Sequence, residues 1–134
     1  MQASCLCGAL TAEIADRGEP TTILCHCRDC QRRSGSPFGV MAYYPDDALA
    51  ITGDAREFTR SADSGKRFTT GFCPTCGSTL YARGERLPGV TGIAVGTLAD
   101  PAFPVPHRSV YEQSRHDWIA LPAGMARHPR GRDS

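Results

Sequence analysis

Short runs in which apolar and polar positions alternate, cut by glycine, proline and aspartate, make up most of the chain. The runs "ALTAEIA" (9–15) and "TTILCHC" (21–27) are parted by "DRGEP", where Gly18 and Pro20 break any continuation. "FGVMAYY" (38–44) is β-branched and aromatic and follows the turn signal "SGSP". After it come "LAIT" (49–52), "REFTR" (56–60), "KRFTTGF" (66–72), "STLYAR" (78–83), "VTGIAVGTL" (90–98) and "HRSVYEQS" (107–114). About nine such segments, with no helix-period stretch between them, predict an all-β chain of twisted antiparallel sheets. One short helix is expected near residues 28–34, with Gly35 as its stop. The stretch 98–107, carrying Pro101, Pro104 and Pro106, reads as an extended surface connection.

With 134 residues the chain fits one domain, a length at which folding buries roughly two-thirds of the unfolded surface. The expected division is a β domain over 1–124 and a flexible basic tail over 125–134. Fifteen Lys and Arg against fourteen Asp and Glu leave a net charge of +1, which supplies no field for nucleic acid or an anionic membrane. The opening "MQASCLCGAL" has no basic-then-apolar leader pattern. No run of about 18 apolar residues is present. A cytoplasmic protein is the expectation.

Seven cysteines change the picture. An odd number cannot pair completely, and a reducing compartment disfavours disulfides. They fall in tight groups: Cys5 and Cys7 as C-x-C, Cys25, Cys27 and Cys30 as C-x-C-x-x-C, Cys73 and Cys76 as C-x-x-C. Grouping of this kind suits metal ligation, whereas thiols used as apolar filler would be scattered. In an extended chain residues i and i+2 point the same way with Cα atoms about 6.6 Å apart. Two sulfurs on one tetrahedral zinc lie about 4 Å apart, so a small inward lean lets a C-x-C pair share an ion. The C-x-x-C turn reaches the same end: Pro74 fixes φ after the first ligand and Gly77 permits a left-handed residue after the second. Cys5, Cys7, Cys73 and Cys76 therefore form a complete four-thiolate set, closed and structural.

Cys25, Cys27 and Cys30 remain. Period two puts Cys25 and Cys27 on one face and His26 on the other, which makes His26 a solvent-facing or supporting group rather than a ligand. Three thiolates leave a tetrahedral zinc one position short, the mark of a reactive site. Two alternatives stand beside this reading: a single structural metal with three spare thiols, or a fourth ligand drawn from His107, His116 or Asp29. A zinc deaminase is excluded, because no H-x-E occurs and Pro74 lies inside the C-x-x-C. A soft, sulfur-rich site suits an incoming thiol, held as thiolate and able to add to an electrophilic carbonyl.

The stretches "CLCGAL", "CHCRDCQRRSGSPFG" and "FCPTCGSTLY" resemble the signatures of the glutathione-dependent formaldehyde-activating enzyme family, which also includes centromere protein V. "SVYEQSRHDWIALPAG" is similar to that family's later region, and the resemblance runs over roughly residues 3 to 124. It implies an all-β fold with two zinc ions, one structural on Cys5, Cys7, Cys73 and Cys76 and one catalytic on Cys25, Cys27 and Cys30. It further implies a carbon–sulfur lyase that joins glutathione to formaldehyde as S-hydroxymethylglutathione, with a small-molecule thiol as partner. The contrasting expectation is a non-catalytic zinc β-module that binds a protein or nucleic acid; the near-neutral charge and the lack of a basic–aromatic stripe speak against it.

Glutathione carries two carboxylates, so its cleft needs cations. Candidates are Arg28, Arg32 and Arg33 after the triplet and Lys66 and Arg67 before the second C-x-x-C, each equally readable as a solvated surface charge. Asp29 and His26 are candidate proton shuttles. Ser34, Ser36 and Phe38 are candidates for the cleft wall, with Phe38 and Trp118 also readable as core aromatics. His128 is expected to take no part.

Overall fold

The computed structural model describes all 134 residues. In chain order the elements are β1 (Gln2–Ser4), β2 (Thr11–Ile14), β3 (Thr21–Cys25), α1 (Arg28–Ser34), β4 (Gly39–Pro45), β5 (Leu49–Thr52), β6 (Arg56–Ser61), β7 (Arg67–Phe72), β8 (Thr79–Gly84), β9 (Val90–Ala94), β10 (Arg108–Val110) and β11 (Ala126–Arg127). One sheet has the order β1-β2-β5, and the other, of eight strands, runs β11-β10-β3-β4-β9-β8-β7-β6. The fold is mostly β with one α-helix, as the alternating pattern predicts. No helix is long and apolar enough to cross a membrane.

Period two assigns the faces. Along β3 the side chains of Thr22 and Leu24 are buried while Ile23 and Cys25 look the other way. On β4, Ala42 and Tyr44 enter the core, whereas Gly39, Met41 and Tyr43 share the face of Cys25. The core joins both sheets: Ala3, Leu10, Ala12 and Ile14 from the small sheet and its turn meet Ala42, Tyr44, Leu80, Tyr81 and Ile93 from the large one. Leu10, Leu80 and Ile93 keep no exposed surface, and each contributes about 1.5–3 kcal/mol by leaving water. Cys5 and Cys73 belong to this same cluster.

Three regions depart from the sequence expectation. β1 was not foreseen, because three residues are too few to display a period. The expected strand 107–114 stops at Val110, since Tyr111 turns left-handed at φ 57 and Glu112–Ser114 form a 3₁₀ turn. β10 also pairs in parallel with both β3 and β11, not antiparallel. Parallel pairing needs a long crossover, and the proline-bearing connection from β9 to β10 supplies it.

Residues 125–134, expected as a flexible basic tail, contain β11, which pairs through Arg108↔Ala126 and Ser109↔Arg127. Backbone bonds from Tyr111 N–H to the Arg130 carbonyl (2.8 Å) and from His128 N–H to the Ser109 carbonyl (2.9 Å) tie this strap down further. Burial also settles the place of two side chains. Trp118, read as a core aromatic, is 73% exposed, and Ile119 beside it takes the buried position. His26, read as solvent-facing or supporting, is fully buried.

Candidate metal centres and reactive cleft

The four sulfurs of Cys5, Cys7, Cys73 and Cys76 lie within 4.8 Å of one another. Cys5 Sγ to Cys7 Sγ and Cys7 Sγ to Cys73 Sγ are both 3.7 Å, close to the spacing that ligands of one tetrahedral zinc adopt. Local sequence builds the clip. Gly77, at φ 79, closes the C-x-x-C turn with its N–H on the Cys73 carbonyl at 2.8 Å. Backbone N–H groups of Leu10 and Thr75 point at the sulfurs of Cys5 (3.2 Å) and Cys73 (3.4 Å). The Ser78 hydroxyl, 3.3 Å from Cys76 Sγ, helps to hold that thiol down at about 5. All seven cysteines are free.

The second group is Cys25, Cys27 and Cys30, whose sulfurs also lie within 4.8 Å of one another. Each comes from a different local setting: Cys25 ends β3, Cys27 is the N-cap of α1, and Cys30 lies in its first turn. The Cys30 N–H donates to Cys27 Sγ at 3.3 Å, and Gly35 ends the helix at φ 70 as expected. Hydrogen bonds from Cys25 and Cys30 hold the Cys27 thiol far below its ordinary value, with Arg60 adding in the same direction. Cys25 is pushed up by its hydrogen bonds with Cys27 and Cys30 and by burial. Of the three, Cys27 is the thiol most readily deprotonated, and the thiolate is the state a metal ligand needs.

No fourth protein donor joins it. His107 accepts the Thr22 N–H at 3.0 Å and faces Glu19. His116 Nε2 lies 2.9 Å from Gln31 Oε1. Asp29 pairs with Arg60 at 3.2 Å. His26 turns away from the sulfurs, with Nε2 2.9 Å from Ser109 Oγ. Its backbone fixes the triplet instead: its N–H donates to the Val110 carbonyl at 3.0 Å, and its carbonyl accepts from Gln31 Nε2 at 2.8 Å.

The three cysteines line a cavity of about 200 Å³. Ile23, Met41 and Tyr43 supply an apolar wall to it, Val110 adjoins Cys25 across the β3–β10 pairing, and Tyr111 follows Val110 into the lining. Six cations face it, namely Arg33, Arg60, Lys66, Arg67, Arg86 and Arg132, against the carboxylates of Asp29 and Asp63. Of the cations expected from sequence, Arg33, Lys66 and Arg67 are there; Arg28 and Arg32 are exposed on other faces of α1. Neither Ser34 nor Ser36 lines the cavity, and Phe38 packs edge-on against the His26 ring at 6.0 Å. Arg60, Arg86, Arg132, Tyr43 and Tyr111 were missed. Strand parity puts Tyr43 on one face with Gly39, but no local signal pairs β3 with β4 or brings residue 132 to the cavity that residue 25 lines.

Fold and thiolate clusters together define a β protein built around two candidate soft-metal centres, one of four cysteines and one of three. The sequence profile of the glutathione-dependent formaldehyde-activating enzymes matches residues 1–114, and the chain belongs to that family. The crystal structure of a Rhodobacter sphaeroides protein is similar, with a TM-score of 0.59 at 18% identity, covering 96% of this chain and 99% of that one. At that identity the likeness speaks for the fold. No curated protein matches the chain.

Proposed function

We propose that the protein is a zinc-dependent carbon–sulfur lyase that forms or cleaves S-hydroxymethylglutathione from glutathione and formaldehyde. One observation carries the reading: three converging sulfurs without a fourth protein donor line a cavity rich in cations. The four-cysteine cluster is the structural zinc site and the three-cysteine cluster the catalytic one. Cys25, Cys27 and Cys30 would hold the zinc, which would supply a Lewis acid able to keep an incoming thiol deprotonated near neutral pH.

The chain's own groups do the rest. Arg33, Lys66 and Arg67 draw the anionic thiol into the cavity, and Ile23 and Met41 keep water from its sulfur. Addition forms a C–S bond while the carbonyl π pair moves to oxygen, which then takes a proton; cleavage reverses both. Tyr43 and Tyr111 are the phenolic donors in the cavity. Burial pushes both up, so each stays protonated and can hydrogen-bond the developing alkoxide. Seven free thiols organised for metal support a reducing, cytoplasmic setting.

The test is Cys27→Ser. The variant should lose one of two zinc equivalents and its exchange between glutathione and formaldehyde, followed by NMR, with far-UV circular dichroism unchanged. Wild-type turnover in that variant would refute the proposal.

A further inference from the structure

We propose that the strap of residues 126–134 is a wall of the ligand site, with Arg132 as a specificity-determining contact for a carboxylate remote from the thiol's sulfur. The proposal rests on the functional reading above and names what that site selects. The strap lies past residue 114, where the family match stops.

Its placement relative to the three cysteines is fixed by hydrogen bonds. β10 carries Val110 opposite Cys25, and the residues just after it bind the strap. Tyr111, Glu112 and Gln113 donate their N–H groups to the carbonyls of Arg130 (2.8 Å), His128 (3.1 Å) and Pro129 (3.2 Å). Arg127 grips the Glu112 carboxylate through Nε and Nη2, at 2.7–3.0 Å. At the far end Asp133 pairs with Arg86, a residue of the cavity wall. Between these two anchors Gly131 and Arg132 join the lining of the cavity.

Charge narrows the candidates, and placement then selects Arg132. Arg60 is matched by Asp29 and Arg86 by Asp133. The side-chain cations of Arg33, Lys66, Arg67 and Arg132 have no carboxylate within 4.0 Å. Arg33 projects from the same helix as Cys30, so it serves an anionic group near the sulfur. Arg132 is delivered by a separate segment of chain, which suits a second carboxylate at the other end of an extended thiol. The chemical class selected is a thiol with two separated carboxylates, over neutral or monoanionic thiols.

Calorimetry on the zinc-loaded full chain tests this, with glutathione and its diethyl ester as probes. Arg132→Ala should weaken glutathione binding about fivefold, as for one partly exposed ion pair, and leave the ester's affinity unchanged. Unchanged glutathione affinity overturns the role of Arg132, and so does equal weakening of both probes, which would mean a structural effect. Wild-type protein that binds neither probe overturns the functional reading and this inference with it.

Discussion

Cys7 and Cys73 stand 66 positions apart in the chain, yet their sulfurs approach to 3.7 Å in a cluster that also contains Cys5 and Cys76. Cys5 and Cys73 are at the same time members of the hydrophobic core. A metal there would link the turn after β1 to the turn before β8, and both turns border the place where the two sheets meet.

Removing one of those ligands therefore damages the core as well as the clip. Cys73→Ser should lose the metal of the four-cysteine site and lower the melting temperature by at least about 10 °C, because structural zinc binding contributes directly to folding. A strong chelator should do the same to the wild type. Melting curves with zinc analysis decide it, and a variant that melts with the wild type would remove the structural role.

Gly39 sits opposite Cys25 in the β3–β4 pairing and leaves room for the Arg33 guanidinium. A β-carbon at that position would stand 2.5 Å from Arg33 Nη2 but only in ordinary contact, at 3.6 Å, with Cys30 Cβ. The flexible end of Arg33 must yield and the backbone need not. Gly39→Ala should therefore keep its zinc and its melting temperature to within about 3 °C while binding glutathione about fivefold more weakly. Equal affinity in wild type and variant would take Arg33 out of carboxylate recognition.

Much of this was legible in the sequence where spacing alone carries the information. The helix after Cys27 and its stop at Gly35 follow from local rules, and so do most strands. So does the sorting of seven cysteines into a four and a three, since C-x-C and C-x-x-C each fix their own geometry. What stayed hidden depends on pairing across long distances. The parallel β3–β10–β11 arrangement brings Val110 beside Cys25 and Tyr111 and Arg132 to the wall of the same cavity, and no residue in "ARHPRGRDS" announces that partner. Trp118 shows the other kind of miss: an aromatic in an irregular stretch without a period to assign its face, with Ile119 buried in its place.

Asp29 offers a test in the opposite direction. It pairs with Arg60 at 3.2 Å and is one of two carboxylates facing the cavity. Asp29→Asn removes a charge that repels an anionic thiol and frees a cation that attracts it. Glutathione affinity should rise about two- to threefold at low salt, with the gain fading as ionic strength is raised. Weaker binding in the variant would show that Asp29 positions Arg60 rather than competing for it.

The grip of Arg127 on Glu112 makes the strap's attachment depend on pH in a defined sense. Hydrogen bonds from Arg127 hold the Glu112 carboxylate below its usual value. A carboxyl group depressed on folding contributes stability that is present above its unfolded-state pKa and is lost as pH falls through its folded-state pKa. Glu112→Gln should lower the melting temperature by a few degrees at neutral pH and speed tryptic cleavage after Arg130. The gap between wild type and variant should hold constant from about pH 8 to about pH 5, and narrow only below the ordinary glutamate range near about 4.3. Comparing the two proteins at each pH cancels losses common to both. A gap that closes between about pH 7 and about pH 6 would point to an imidazole as the titrating group and sink the Glu112 assignment.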